Sequence, residues 1–528
     1  MPARISARPP SAGAPRIETD STRFLEDAAH YPGGHASGVI QPRSINEVSA
    51  ALRRGGRILP VGAQSSLTGG ATPFGDIVLT TERLLGITRE GDRVHVGAGV
   101  PLQVLQDDLL KTGRWFPPVP TYLGAFAGGA VATCAAGAAT FKYGTVREWV
   151  DGLTVVLAGG DVLTMRRGEC LASADGIFEV ETAIGVRRFR VPDLCMPDVP
   201  KRSAGYFLEA GMDLIDVFIG SEGTLGVIVE AVLKTAAIPA GNCRAFVPVP
   251  SEEAAIALVG ELRLAAAETW RSHDPRGIDL AAIEHLDARS IAVIREDGVD
   301  RKLDITLPSG AAVALLIDLE LTASAAGADL WTQLESVRDS AAADTPLRRF
   351  CAVLDRAGVL EDTQIALPGD RARAAAFAEL REAVPAGVNR RVARAKQSDS
   401  AISKTAADMI VPFDRFGDMM RECRRLFADR DLDLAVWGHI SDGNVHPNVI
   451  PRQADDVQKG REAILELGRV VIEMGGCPLA EHGVGRNAIK QQLLRQLYGD
   501  EGVNAMRAIK LSLDPDGLLA SGVIFPPQ

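Results

Sequence analysis

The chain has 528 residues, too many for one ordinary core, so its length points to two or three domains. Hydrophobic residues make up 46% and charged residues 24%, which excludes a disordered or fibrous chain. A formal net charge of −11 argues against a nucleic-acid surface, yet it leaves room for a small anion held by a local arginine or lysine. The first 20 residues, MPARISARPPSAGAPRIETD, lack the apolar stretch of a secretion signal, and their prolines spoil an amphipathic helix, so residues 1–35 read as an N-terminal tail. INEVSAALRRG (45–55) reads as an amphipathic helix ended by Gly55-Gly56. RILPVG (57–62), DIVLTT and RVHVGAG read as strands, and GLTVVLAGGDVLTM (152–165) as a hairpin turning near Gly159-Gly160-Asp161.

Three glycine-rich bends stand out in this first region. LPVGAQSSLTGGATP (59–73) follows a strand but is neither GxGxxG nor GxxxxGK[ST], which disfavours a Rossmann or P-loop nucleotide site. Its small residues, Gly62 to Ser66, would let successive backbone N–H groups face a pyrophosphate. Residues 124–138 are nearly all small, as backbone packed against a flat ligand requires. GSEGTLG (220–226) is the third bend, inside a stretch (216–236) that reads as two strands. Three such bends fit a large, planar, phosphate-bearing cofactor.

Beyond about residue 240 the texture changes. RAFVPVP (244–250) reads as a strand, and Ser251 caps a helix opening on Glu252 and Glu253. AAVALLIDLEL (311–321) reads as a buried strand followed by the helix ADLWTQLESVRDSAA. A helix near 370–384, the strand ADMIVPF (407–413), the helix DRFGDMMRECRRLFA (414–428) and the strand LDLAVW (432–437) follow. This alternation predicts an α/β sandwich with helices on one sheet face. The seven cysteines are scattered and contain no CxxC, which disfavours a disulfide framework or a zinc or iron–sulfur cluster and favours a reducing compartment. No apolar run reaches the roughly 18–20 residues of a membrane span.

Only eight histidines occur, and three lie within residues 439–482. In AVWGHISDGNVHPNVIP (435–451), a two-residue turn at Asp442-Gly443 would set His439 opposite His446 and Trp437 opposite Asn448. Both histidines and Asn448 would then share one face, close enough to hold one metal ion. Glu481, in AEHGVGR, is the candidate third ligand, and two histidines with a carboxylate suit Zn²⁺, Mn²⁺ or Fe²⁺. His30, His35, His95, His273 and His285 have no such company and read as surface or core residues.

PVGAQSSLTGGATPFGDIVL, GGAVATCAAG with KYGTVREWVDGLTVVLAGG, and FIGSEGTLGVIVEAVLK resemble the PCMH-type FAD-binding domain of the vanillyl-alcohol-oxidase superfamily. GHISDGNVHPN, AEHGVG and LDPDGLLASGVI resemble the C-terminal part of FAD-linked oxidases, in the group of D-lactate dehydrogenase, D-2-hydroxyglutarate dehydrogenase and the glycolate oxidase flavoprotein subunit. The resemblance covers roughly residues 35–240 and 375–528. It implies an α+β protein: an FAD domain at 36–238, a substrate or cap domain at 239–500, and a C-terminal helical segment, 501–528, returning to the FAD domain.

The resemblance also implies site residues. FAD would be held by Gly62, Ala63, Gln64, Ser65, Ser66, Thr68 and Gly69. Pro118, Gly128, Gly129, Thr133, Gly137, Glu222, Gly223, Gly226 and Ile228 would enclose its flavin and adenosine parts. Ala63 and Gln64 stand where flavin-tethering members carry a histidine, so non-covalent FAD is expected. His439, His446 and Glu481 match the ligands of a divalent metal, and His482 matches the general base. Arg381, in LREAVPAGVN, matches a substrate-binding arginine; Lys404 and Asn448 complete the expected substrate contacts. Pro385 replaces a polar contact of the hydroxyglutarate enzymes, which points away from that substrate.

The implied activity is oxidation of a small, anionic D-2-hydroxy acid to the 2-oxo acid. The acceptor would be other than NAD: a quinone, a cytochrome or an electron-transfer flavoprotein. A cytoplasmic location, or one peripheral to a membrane, fits this reading. Two alternatives share the motifs: a flavin-dependent transferase of the alkylglycerone-phosphate synthase type, and a non-catalytic flavoprotein subunit of an electron-transfer complex.

Overall fold

The computed structural model describes residues 5–7, 13, 15–327, 329–339 and 341–527. Part of the expected tail (1–4, 8–12 and 14) lies outside the described residues. The chain divides into two units, one of Met1–Gly137, Gly144–Ile238 and Cys477–Gln528, the other of Ala138–Tyr143 and Pro239–Gly476. Residues 477–500, read from sequence as part of the substrate domain, therefore belong to the first unit. So does the stretch 18–31. Glu18 bridges Val39, Phe24 is buried, and Ala28 and Ala29 N–H groups donate to the carbonyls of Gln64 and Ser66.

Two larger sheets carry the first unit, which among the described residues also has the two-stranded pairs Ile177–Thr182 with Gly185–Arg190 and Arg114–Trp115 with Ala236–Ala237. The strands His35–Ile40, Phe74–Thr80 and Ile58–Val61 run parallel, with Phe74–Thr80 in the middle. The helix Ile45–Arg53 makes the crossover; Ser44 caps it by accepting from Glu47 N–H, and Val48, Ala51 and Leu52 pack on Ile40, Ile58 and Leu79. The second sheet orders Ile5–Ala7, Val162–Arg166, Val150–Val156, Val227–Lys234, Arg93–Gly97 and Ile87–Glu90, all antiparallel. The expected hairpin at 152–165 forms, closed by Leu157 N–H on the Asp161 carbonyl and by Gly160 at φ +80°. The stretch 216–236 does not open on a strand: Asp213 caps a short helix, Leu214–Phe218, and the strand Val227–Lys234 follows, with the two-residue strand Ala236–Ala237 starting at its end. The closing residues return to the core. Leu519 pairs with Ile58, and the buried Lys510 ammonium donates to Thr224 O, Leu519 O and Asp514 Oδ2, satisfying all three of its protons.

The second unit carries an eight-stranded antiparallel sheet among the described residues. Its order is Gln364–Ala366, Gly241–Val249, Val313–Leu321, Asp279–Leu286, Leu434–His439, Asn444–Val449 and Thr405–Ala406, with Met409–Ile410 also on Asn444–Val449. The apolar strand Asp279–Leu286 has no counterpart in the sequence reading. The helix expected at 370–384 runs from Arg371 to Ser398, straight through Pro385. Its buried stripe of Phe377, Leu380, Val384 and Val388 packs on Phe246, Leu286 and Trp437, and this tertiary burial outweighs the helix-breaking tendency of one proline. Other expected elements shorten. Asp329 caps a helix of only Leu330–Glu335, and the strand at 407–413 shrinks to Met409–Ile410. The helix at 414–428 is Phe416–Ala428 behind a 3-10 turn, Phe413–Arg415. No helix among the described residues is long and apolar enough to cross a membrane.

Candidate functional site

In the first unit the three glycine-rich bends meet. Gly62 lies against Gly129, where a Cβ built on Gly62 would be 3.9 Å from Gly129 Cα. The small-residue run is not a plain loop: Ala127–Ala132 is a short helix. Its end is tied to the third bend, for Gly220 N–H donates to Val131 O (3.1 Å) and Glu222 N–H to Ala132 O (2.8 Å). Each bend holds one residue with a Cβ at positive φ: Gln64 (54°), Cys134 (47°) and Glu222 (51°). Such backbone is costly outside glycine and is kept only where surroundings enforce it.

The expected FAD residues divide by role. The carbonyls of Gln64 and Ser66 are taken by Ala28 and Ala29, whereas the N–H groups of Ala63, Gln64 and Ser65 bond to none of the described residues. A Cβ on Gly129 would meet nothing within 4 Å. Free backbone donors beside an open glycine face fit a phosphate-bearing planar group such as FAD. Other positions serve packing. Ser66 Oγ accepts from Thr68 and Gly70 N–H, Gly69 sits against Tyr31, and Thr133 Oγ1 donates to Gly129 O. Gly128 abuts Ala98, Gly137 the Val119 carbonyl, Gly223 Pro60 and Gly226 Val155, while Pro118 and Ile228 are buried.

The segment Ala480–Arg486 belongs to the same unit. Ser203 N–H donates to the carbonyls of Leu479 and Ala480, and the fully buried Lys201 donates from Nζ to Glu481 Oε2 (3.0 Å). His482 Nε2 lies 3.5 Å from Glu481 Oε1, with about a quarter of its side chain exposed. Gly483 (φ +73°) and Gly485 (φ +57°) bend the backbone, as adjacent site residues require, and Gly485 is pressed onto Thr68 too closely for any Cβ. Both oxygens of Glu222 accept from this bend: Oε1 from Val484 N–H and Oε2 from Gly485 N–H, each at 2.8 Å. Glu222, read from sequence as a cofactor contact, therefore spends its carboxylate on the His482 segment.

In the second unit the histidine hairpin forms, in a different register. Ile440–Asp442 makes a 3-10 turn and Gly443 takes φ +82°, so the loop has four residues rather than two. His439 then pairs with Asn444, Trp437 with His446 and Ala435 with Asn448. The slip is two residues, which preserves the face. His439 and His446 remain neighbours, diagonal rather than opposite, with ring centroids 5.5 Å apart at 86°. Each ring is held by a buried carboxylate that the sequence reading missed. His439 Nδ1 bonds to Glu284 Oε1, and His446 Nδ1 lies 3.3 Å from Asp408 Oδ1. A carboxylate bonded to His439 Nδ1 is the arrangement found around metal-binding histidines. Two such imidazoles fit a divalent transition metal.

Arg381 joins this cluster. Its Nε donates to Glu284 Oε2 (3.0 Å) and its Nη1 to Glu382 (2.6 Å), while Nη2 donates to none of the described residues. Burial pushes the Glu284 carboxyl up, but the charges of His439 and Arg381 outweigh that and hold it far below the usual range. Asn448 is buried; its Nδ2 donates to the His446 carbonyl and its Oδ1 has no partner among the described residues. Lys404 is exposed. The five other histidines stay outside the cluster: His285 is a core residue 3.4 Å from Glu252, and His30 is exposed beside Glu26. Asp408 and Glu284 were findable only as lone acids in apolar strings, TAADMIV and LAAIEHL.

This α+β architecture, with glycine bends suited to FAD in one unit and a large antiparallel sheet in the other, is that of a flavin-carrying oxidoreductase of the PCMH type. The model of the FAD binding domain matches residues 36–166, and that of the FAD linked oxidases, C-terminal domain, matches 249–524. The chain belongs to the FAD-linked oxidases. It is 28% identical over 500 residues to glycolate oxidase subunit GlcD of Bacillus subtilis, covering 92% of this chain and 88% of that protein. It is 28% identical to a probable mitochondrial D-lactate dehydrogenase of Danio rerio (92% and 84%), and 27% identical to D-2-hydroxyglutarate dehydrogenase of Xanthomonas citri pv. viticola (92% and 89%). A solved alkyldihydroxyacetonephosphate synthase superposes with a TM-score of 0.57 at 14% identity, over 93% of this chain and 78% of that one, a likeness of fold.

Proposed function

We propose that the protein oxidises a small D-2-hydroxy acid, of the D-lactate or glycolate kind, to the 2-oxo acid, with electrons leaving to an acceptor other than NAD. The observation that carries this reading is the pair of neighbouring imidazoles, His439 bonded to Glu284 and His446 close to Asp408, beside an arginine with a donor to spare. The names of the relatives, each an enzyme of a 2-hydroxy acid, support it.

In this reading Arg381 pairs through Nη2 with the substrate carboxylate, since a guanidinium fork fits a carboxylate. Asn448, whose buried Oδ1 has no partner among the described residues, is a further contact for the bound acid. His439, His446 and Glu481 are the residues that would hold a divalent metal, and that metal when bound would lower the pKa of the α-hydroxyl. His482 takes the hydroxyl proton as general base. Gly62–Ser66 and Gly129 would hold FAD non-covalently, and the flavin would supply the acceptor for the Cα hydride. The chain's own contribution is to bind the acid, orient it and move one proton.

Chelating the metal from FAD-loaded protein tests this. Substrate reduction of the flavin should stop while FAD stays bound, and added Zn²⁺ or Mn²⁺ should restore it. Full activity of metal-free protein would remove His439, His446 and Glu481 from the mechanism. For the transferase alternative the solved alkyldihydroxyacetonephosphate synthase offers a likeness of fold, and no feature of the described site favours that reaction over oxidation.

A further inference from the structure

Glu222 occupies a position where a glycine would be cheaper. Its φ is +51°, and its own N–H is fixed on the Ala132 carbonyl. The bend before it is braced by Arg147, which donates from Nη2 to Ile219 O and from Nη1 to Asp216 O. From this anchored base the carboxylate reaches across 262 residues of sequence to Val484 N–H and across 263 to Gly485 N–H. Gly483 is part of the fit, since a Cβ there would lie 2.9 Å from Glu222 Oε1. These bonds hold the residues directly after His482, while Lys201 and Ser203 hold those before it.

We infer that Glu222 is the positioning residue of His482, fixing the Gly483–Gly485 bend through two backbone N–H groups so that the imidazole is held ready for the substrate hydroxyl. The inference rests on the reading of His482 as the base. It gives the glutamate of the GSEG bend a task other than touching FAD. It also accounts for a strained, non-glycine residue in a bend otherwise made of small ones. Two N–H groups aimed at one carboxylate fix a bend in direction as well as distance, which a single neutral acceptor does not. Correct placement is worth large factors in rate, so loosening this clamp should act on the turnover step and leave substrate affinity nearly alone.

The test compares Glu222→Gln, Glu222→Asp and His482→Asn in the full-length, FAD-loaded protein. Glutamine sets an NH₂ group against one N–H, and aspartate falls one methylene short. Glu222→Gln should keep FAD and the fold, lower the rate of flavin reduction at saturating substrate by roughly 10- to 100-fold with little change in substrate Kd, and speed hydrogen exchange at the Val484 and Gly485 amides. Glu222→Asp should show the same split with a smaller rate loss. Wild-type rate in folded Glu222→Gln overturns the inference. So does a rate that falls only in proportion to lost FAD, which would make Glu222 a cofactor contact. Failure of both variants to fold would make it a structural residue and overturns the inference too. If His482→Asn keeps the wild-type rate, the base reading has failed instead. The exchange measurement needs no substrate, so it still decides whether Glu222 fixes the bend.

Discussion

Glu284→Gln is the substitution that separates a metal-binding cluster from an ordinary buried ion pair. Glu284 shares its oxygens between His439 Nδ1 and Arg381 Nε, with only 10% of its side chain and 15% of that of Arg381 exposed. Glutamine keeps the shape but removes the charge and turns one acceptor into a donor. Breaking a buried pair by removing one partner costs about 3–5 kcal/mol. Arg381 keeps its bond to Glu382, and the amide oxygen still accepts one bond, so the low end applies, about 3 kcal/mol. Loss of the carboxylate behind a liganding imidazole should weaken metal binding about 10- to 100-fold. Urea unfolding of the metal-free protein reads the first number, and titration with buffered Zn²⁺ reads the second. Glu284→Gln combined with Arg381→Met should recover stability, because the buried cation goes too, but not metal affinity. Metal affinity within about twofold of wild type, far short of that loss, would refute the reading of His439 as a ligand held by Glu284.

Neighbouring glycines should behave in opposite ways. Gly128→Ala forces a Cβ to 2.5 Å from Ala98 Cβ and should cost about 1–3 kcal/mol in thermal or urea unfolding, whereas Gly129→Val points into open space and should leave the apoprotein's stability intact while FAD binding, read by absorbance after gel filtration, is lost. Denaturation in acid should release intact FAD into the supernatant, since Ala63 and Gln64 offer no tether; flavin precipitating with the chain would contradict this. Burial pushes the Glu222 carboxyl up to about 7, against the pull of Val484 and Gly485 N–H and of Lys490. The folded protein therefore keeps a proton that the unfolded chain releases from about pH 4.5 upward, so stability should fall as pH rises through that window and level off above 7. Melting temperatures of wild type and Glu222→Gln should converge or cross between pH 5 and 7.5 in about that sense, and parallel curves would count against it.

How much of this was legible beforehand depended on how local the signal was. The helix begun at Ile45, the Ser251 cap, the 152–165 hairpin and the glycine bends are written in contiguous residues, and the structure has them where the sequence puts them. The histidine hairpin was half legible. Asp442-Gly443 marks a turn, but Ile440–Asp442 winds into a 3-10 turn first, and only the even slip kept His439 and His446 on one face. The proline in the Arg371–Ser398 helix was misleading, because the stripe from Phe377 to Val388 overrides it. What stayed hidden depends on distant partners. Glu284 meets Arg381 97 residues on, Lys201 meets Glu481 280 residues on, and a lone acid or lysine in an apolar string carries no local sign of that. Glu222 was visible as part of a bend, but the destination of its side chain was not.

The central claim is that a 2-hydroxy acid delivers hydride to bound FAD, with the D-stereoisomer preferred. FAD-loaded protein mixed anaerobically with D-lactate, L-lactate, glycolate and D-2-hydroxyglutarate, and followed in the visible flavin band, tests it in a single turnover. The account predicts rapid bleaching by D-lactate or glycolate, slower bleaching by D-2-hydroxyglutarate, none by L-lactate, and one equivalent of 2-oxo acid per flavin reduced. A flavin that stays oxidised with every one of these acids would contradict it.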